Sequence, residues 1–418
     1  MDPFEKKVIE KAVLCGLNAG ILSREENATE ETLDELEALL ETAGGQCVAK
    51  VLQSRPTPDP HSFIGEGKVE EVKELLKTTE ANLVVFDNDL SPSQQRALEQ
   101  MTGVMVMDRS GLILDIFAQR AKTKEGRLQV ELAQYKYLLP RLTGMWTHLE
   151  RQEGSIGSRG PGETQLETDR RLIRKRITKL EEELQEVRKN RATQRQRRLK
   201  NSVPVVAIVG YTNAGKSTLL NHLTDAGIPA NNRLFDTLDT TTRQLTVSDT
   251  LDVLLSDTVG FIAKLPHHLV EAFKATLEEL EYADLLLHVI DASDPEMEIH
   301  VQVVDKLIAQ LAKPGIPVIE CYNKADLVQE DDIPRGENRI GISAKTGDNM
   351  QAMLELIEKN LNKGLKTGIF LLPYSMGGMV DTLHKDAKVL NVEYTADGIQ
   401  VEATCDEVLY GKLSQYLI

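Results

Sequence analysis

The chain has 418 residues, 41% of them hydrophobic, and carries a formal charge of −16 at neutral pH. At about 150 residues per domain this predicts roughly three folded units, each large enough to bury a core. Apolar runs such as Leu83–Phe86 and Leu285–Ile290 are strand-length and exclude a helix crossing a bilayer, which needs roughly 20 apolar residues. Cys15, Cys47, Cys321 and Cys405 stand singly, without the close pairs of a zinc or redox motif. The start, Met-Asp-Pro-Phe-Glu-Lys-Lys, lacks an export signal, so the expected compartment is the cytoplasm.

In chain order, Val8–Leu17 reads as a strand and Thr29–Thr42 as a helix with Leu33, Leu36, Leu39 and Leu40 on one face. Cys47–Gln53, Asn82–Phe86 and Val104–Met107 read as further strands around a helix opened by Ser91, which predicts an N-terminal α/β unit over residues 1–110. From Gly111 to Leu139 the pattern is helical, interrupted near Gly126 and stopped by Pro140. A loop with glycines 154, 157, 160 and 162 follows, and then a seam of Leu166, Ile173, Ile177, Leu180, Leu184 and Val187 at heptad spacing. Residues 111–200 are therefore expected to form a helical, coiled-coil hairpin.

Between Arg170 and Lys200 stand thirteen Lys and Arg against four Glu, so an acidic chain carries one strongly basic segment. Two readings stand side by side. Arg170, Arg171, Arg174, Lys175, Arg176 and Lys179 either contact RNA phosphates or form a solvated face. The glycine-rich loop is open in the same way: Arg159 and the backbone amides hold an RNA phosphate, or the glycines serve as a hinge.

Residues 201–365 alternate buried strands with helices, as in a doubly wound sheet, with strands at Val205–Val209, Val253–Leu255, Leu285–Ile290, Val318–Cys321 and Arg339–Ile342. Gly210-Tyr211-Thr212-Asn213-Ala214-Gly215-Lys216-Ser217 follows the first of these and opens a helix, a complete phosphate-binding loop in its required context. Its amides and the helix N-terminus cradle phosphates, Lys216 pairs with the terminal ones and Ser217 ligates magnesium. Asp257-Thr258-Val259-Gly260 follows a later strand, with Asp257 reaching magnesium through water and the Gly260 amide meeting a γ-phosphate.

Asn323-Lys324-Ala325-Asp326 then selects the base, because the Asp326 carboxylate accepts from two guanine donors that adenine lacks. Ser343-Ala344-Lys345 is placed behind the base, with the Ala344 amide toward the guanine oxygen. The magnesium-binding switch threonine is Thr237, within Phe235-Asp236-Thr237-Leu238-Asp239, with Thr242 as the alternative. Asn213 is also the candidate holder of a potassium ion against the phosphates. The tail, 366–418, is expected to be a small α+β domain in which Val389–Tyr394 and Ile399–Ala403 form a hairpin through Asp397-Gly398.

This order of motifs resembles the HflX family of ribosome-associated GTPases over residues from about 5 to 365. Its most distinctive stretch is Gly157-Ser-Arg-Gly-Pro-Gly-Glu-Thr-Gln-Leu-Glu-Thr-Asp169, supported by Pro58–Lys68 and Leu128–Tyr135. Asp236 and Thr240 depart from the Ala and Pro frequent in the family. The resemblance implies a GTPase that binds the large ribosomal subunit and its rRNA, splits stalled ribosomes, and tolerates ATP through a second site. A monomer is expected. The competing functions are a tRNA-modifying or metabolic P-loop enzyme, and a nucleotide-dependent interaction protein. The first would need a further catalytic constellation, and His267-His268 reads as a polar helix start rather than a metal pair.

Overall fold

The computed structural model describes residues 9–23, 25–144, 161–199, 203–224, 234–235, 241–248, 251–264, 280–362 and 365–418. Residues 154–160 of the glycine-rich loop, Arg159 among them, the stretch Asp236–Thr240 and the His267-His268 pair lie outside the described residues.

The N-terminal unit runs β1 (Lys11–Ala19), α1 (Glu30–Ala43), β2 (Gln46–Arg55), α2 (Glu66–Thr79), β3 (Leu83–Phe86), α3 (Pro92–Thr102) and β4 (Met105–Asp108). Its strands are parallel in the order β2-β1-β3-β4. Because side chains alternate along a strand, each face of the sheet takes every second residue. Ala12, Leu14, Leu83 and Val85 join Leu33, Leu36, Leu39 and Leu40 of α1. Val13, Cys15, Leu17, Val84 and Phe86 join Val69, Val72 and Leu76 of α2 on the other side.

Both α1 and α3 start where the chain predicts, with Thr29 and Ser91 each closing a capping box that satisfies the first free amides. Helix α2 lies where the sequence shows no clear helical pattern, although Val69, Val72 and Leu76 carry its period. Glutamates and lysines fill the rest of it and blur the apolar stripe.

Helices α4 (Arg109–Arg120) and α5 (Lys124–Leu138) replace the single interrupted helix expected from the sequence. The break falls at residues 121–123 rather than at Gly126, because Thr123 accepts from the Gly126 amide at 2.9 Å and starts a new helix. Helix α6 (Pro161–Leu199) lies along α5, with Leu180 and Leu184 buried against Leu128 and Leu132. At roughly 2 kcal/mol for each fully buried leucine, this seam holds a helix whose other faces are mostly charged.

A six-stranded sheet follows, built from β5 (Val205–Gly210), β6 (Thr241–Ser248), β7 (Leu251–Asp257), β8 (Leu285–Asp291), β9 (Val318–Asn323) and β10 (Arg339–Gly341). The order is β10-β9-β8-β5-β7-β6, and β6 pairs antiparallel with β7 at the edge. That edge strand was not anticipated, and only Leu245 and Val247 in it are buried. Helices α7 (Lys216–Thr224), α8 (Met297–Leu311) and α9 (Met350–Leu361) cover the sheet. The core beneath α1 and α4 continues into this sheet through Val209, Phe261, Leu286 and Val304, so the N-terminal unit and the nucleotide domain share one apolar cluster.

The tail contains β11 (Leu365–Leu372), α10 (Gly377–Asp386), β12 (Lys388–Thr395), β13 (Gly398–Asp406) and α11 (Glu407–Leu413). Strand β13 is central, antiparallel to both β11 and β12, and the hairpin closes at Gly398 as expected. Among the described residues no helix is long and apolar enough to cross a membrane.

Candidate nucleotide site

Ligands of doubly wound sheets sit at the carboxyl ends of the strands, beside the point where strand order reverses. Here that point lies between β5 and β8, and the turn after β5 is the phosphate loop. Gly210 has φ +154°, and a Cβ there would lie 2.2 Å from the Val289 carbonyl oxygen of β8. Gly215 has φ +97°, with its would-be Cβ 2.1 Å from Asn323 Nδ2. Both positions therefore demand glycine for backbone conformation and for space. Asn213 adopts φ +61° and is exposed at the loop's crest.

Lys216 is buried, and its ammonium donates to the carbonyls of Gly210 at 3.0 Å and Tyr211 at 2.7 Å. Burial pushes its pKa down to about 8, with Asp257 opposing the shift. Phosphate oxygens would supply the counter-charge that two carbonyl dipoles provide only in part. Ser217 Oγ lies 3.3 Å from Asp257 Oδ2, and Asp257 is fully buried at the end of β7. A hydroxyl and a carboxylate so placed are hard oxygen donors of the kind magnesium takes alongside water and phosphate, so the residues present fit that ion.

The segment 323–326 is tied to the phosphate loop by one side chain. Asn323 Nδ2 donates to the Ala214 carbonyl at 2.8 Å, and its Oδ1 accepts from the Ala344 amide at 2.9 Å. The Ala344 amide, expected to point at the guanine oxygen, is thus engaged with Asn323. Lys324 bonds Asp291 at 2.5 Å, Asp326 is exposed, and Ser343 is fully buried. Thr258 donates to the Ile208 carbonyl at 2.7 Å and Val259 is buried, so these two residues hold the Asp257–Gly260 turn onto β5.

Two expected site residues are placed elsewhere. Phe235 is buried against Phe117 of α4, ring centroids 4.7 Å apart, because an aromatic ring gains more in the inter-unit core than beside phosphates. Thr242 is in β6, opposite Ser256, with the two hydroxyl oxygens 3.3 Å apart. Of the basic candidates, Arg171, Arg174, Lys175 and Lys179 are exposed along α6 and Arg170 is half-buried. Arg176 bonds Glu131 of α5 at 2.7 and 2.9 Å.

Sequence reasoning passed over His288, which lies in β8 directly behind the phosphate loop. It lines a small cavity with Tyr211, Thr212, Asp291, Asp294 and His300. It is 1% exposed, and Asp305 at 3.6 Å is too distant for a hydrogen bond. Burial lowers its pKa to about 4. Between pH 6.5 and 4 the unfolded chain therefore takes a proton that the folded chain refuses, and stability is lost as the pH falls through that window. The loss expected is about 3 kcal/mol, and His288→Gln should abolish it. Denaturation of both proteins at pH 7 and pH 4.5 checks this, since a difference that does not change with pH would contradict it.

Three family profiles match the chain: "GTP-binding GTPase N-terminal" over residues 30–118, "GTP-binding GTPase Middle Region" over 120–198, and "50S ribosome-binding GTPase" over 205–324. The GTPase HflX of Caldanaerobacter subterraneus is 49% identical over 400 residues, 95% of this chain and 92% of its own length. That of Lacrimispora saccharolytica is 45% identical over 412 residues, 98% and 96% of the two chains. That of Escherichia coli is 48% identical over 353 residues, 83% of each. A crystal structure of SsGBP with GDP shares the fold, at TM-score 0.50 and 24% identity, covering 85% of this chain and 99% of that one.

Proposed function

Because this chain belongs to the HflX family of GTPases, we propose that it acts on the large ribosomal subunit, using GTP hydrolysis to separate or rescue stalled ribosomes. The observation that carries this is the match of the nucleotide domain to a family described as 50S ribosome-binding GTPases, in a chain that also presents a basic face on α6.

The hydrolytic chemistry follows from the site. Amides of the Gly210–Lys216 loop and the Lys216 ammonium bind and orient the phosphates, and Gly260 offers its amide to the γ-phosphate. Ser217, with Asp257 behind it, and Thr237 would hold magnesium, which would supply positive charge to offset that of the phosphates. Asn213, exposed in the same loop, is the proposed holder of a potassium ion.

Phe261 follows Gly260, where many GTPases carry a glutamine that orients water. It is 2% exposed and turned into the inter-unit core. An apolar ring so placed cannot direct a nucleophile, so turnover by the isolated protein should be slow. Adding large subunits should raise it by on the order of a hundredfold or more, and potassium should outperform sodium. Single-turnover rates in the two salts, with and without subunits, test both ideas. A rate indifferent to subunits would end the ribosomal reading, and equal rates in the two salts would end the potassium one.

The exposed cations on α6 are the proposed RNA contacts. Each phosphate neutralised adds about 0.7 to 0.9 to the salt slope of log K. Replacing Arg171, Arg174 and Lys175 with Gln should flatten that slope by roughly two units and leave GTP affinity unchanged. The buried seam of Leu180 and Leu184 is untouched, so the helix should stay docked. Parental binding at every salt concentration would reduce this face to a solvated one.

A further inference from the structure

Polar side chains with no part in the chemistry above meet where the N-terminal unit leans on the phosphate loop. Arg109, at the start of α4, is 1% exposed and bonds Asp87 Oδ1 at 2.8 Å and also Glu35 of α1. Lys264, just beyond the Asp257–Gly260 turn, also bonds Asp87. Tyr211 joins the two halves. Its hydroxyl donates to Glu35 Oε1 at 2.5 Å and accepts from the Ala263 amide at 2.7 Å. Its ring stacks on His300, centroids 3.7 Å apart, and His300 in turn bonds Asp294 at 2.9 Å.

The segment Gly260–Lys264 is thereby held at both ends. Near its start, the Phe261 amide donates to the Gly210 carbonyl at 3.1 Å and the Phe261 carbonyl accepts from the Thr212 amide at 2.7 Å. At its end, Ala263 hangs from the Tyr211 hydroxyl and Lys264 from Asp87. At its first residue, a Cβ on Gly260 would lie 2.9 Å from Thr212 Cγ2 and 3.1 Å from Lys216 Nζ. A third phosphate seated between the Gly260 amide and the Lys216 ammonium therefore requires the segment to move outward. A diphosphate lacks that third phosphate and makes no such demand.

We propose that Tyr211 determines how the site discriminates triphosphate from diphosphate: its hydroxyl, anchored by Glu35 of the N-terminal unit, holds the Gly260–Lys264 segment against the phosphate loop and penalises GTP relative to GDP. Seating of the N-terminal unit and occupancy by a γ-phosphate are then linked through one phenol, and the linkage is reciprocal. This rests on the GTPase chemistry alone and not on ribosome association, so its test contains no ribosomes.

In the full-length chain, affinities for fluorescent GDP and for a non-hydrolysable GTP analogue are compared for the parent, Tyr211→Phe, Glu35→Gln and the double variant. Tyr211→Phe keeps the ring on His300 and removes only the hydroxyl. It should raise analogue affinity about fivefold to thirtyfold, the worth of one or two net hydrogen bonds, with GDP affinity within about twofold of the parent. Glu35→Gln should move the ratio the same way, and the double variant no further than Tyr211→Phe, because Glu35 acts through the hydroxyl. Lys306→Ala removes a bridge to Glu25 between two exposed side chains of the same interface and should leave the ratio alone. The proposal falls if Tyr211→Phe leaves the ratio unchanged, if the two substitutions add independently, or if Lys306→Ala shifts the ratio equally. Should Tyr211→Phe fold poorly, Glu35→Gln against Lys306→Ala decides the same question.

Discussion

Gly215→Ala should lower the affinity for GTP and GDP alike by about a hundredfold while leaving the nucleotide domain folded. The left-handed φ of +97° disfavours any side chain there, and the new methyl would fall 2.1 Å from Asn323 Nδ2. Asn323 is a side chain and can swing away, so the clash is relieved locally. In swinging it gives up the Ala214 carbonyl and the Ala344 amide, the two bonds that join phosphate loop to base loop. Backbone strain and those lost bonds together cost about 3 kcal/mol, two decades in affinity. Gly210→Ala should behave differently. There the obstacle is the Val289 carbonyl, part of the neighbouring strand, so relief requires β5 and β8 to part. Its damage should appear as lost folding stability. Nucleotide titrations and thermal melts of both variants separate the outcomes; equal melting temperatures would refute the distinction.

Arg109→Met is the second large effect expected, a loss of about 3 to 5 kcal/mol in folding stability. The guanidinium is among the most deeply buried side chains, and the Asp87 and Glu35 carboxylates hold it charged against the cost of burial. Removing it leaves Asp87 with Lys264 and Thr32 alone and strips Glu35 of its cation. An uncompensated buried carboxylate costs far more than a pair in water contributes, so Lys306→Ala, at an exposed bridge, should cost under about 1 kcal/mol. Urea unfolding of the two variants measures the contrast. A loss below about 1 kcal/mol for Arg109→Met would show that water reaches the cluster.

The nucleotide chemistry could be read in the chain itself, because it depends on residues that are neighbours in sequence. A phosphate loop needs two glycines, a lysine and a hydroxyl at fixed spacing after a strand, and that spacing is local. The guanine motif needs a carboxylate three residues beyond an asparagine, again within one turn. The elements with a clear apolar pattern were legible for the same reason: β1 and β3 are short runs apolar on both faces, and α1 and α3 each show one apolar face with a cap at its start. Where the period is diluted by charge, as in α2, or shortened at a sheet edge, as in β6, the sequence carries too weak a pattern to mark the element.

Only the tertiary structure decided what the second residue of the phosphate loop bonds to. Tyr211 and Glu35 are 176 positions apart, and Lys264 and Asp87 are separated by 177. No periodicity links them, and each alone reads as an ordinary surface or loop residue. They meet because α1 and α4 need an apolar surface to cover, and the face of the nucleotide domain that carries Phe261, Val304 and Ile308 supplies it. That burial drives the two units together without direction. Carboxylates and cations trapped at the seam must then find one another or stay unsatisfied, and this selects the pairing seen. The apolar halves of the interface were present in the sequence as helix faces, whereas the partner of each charge was set by the packing.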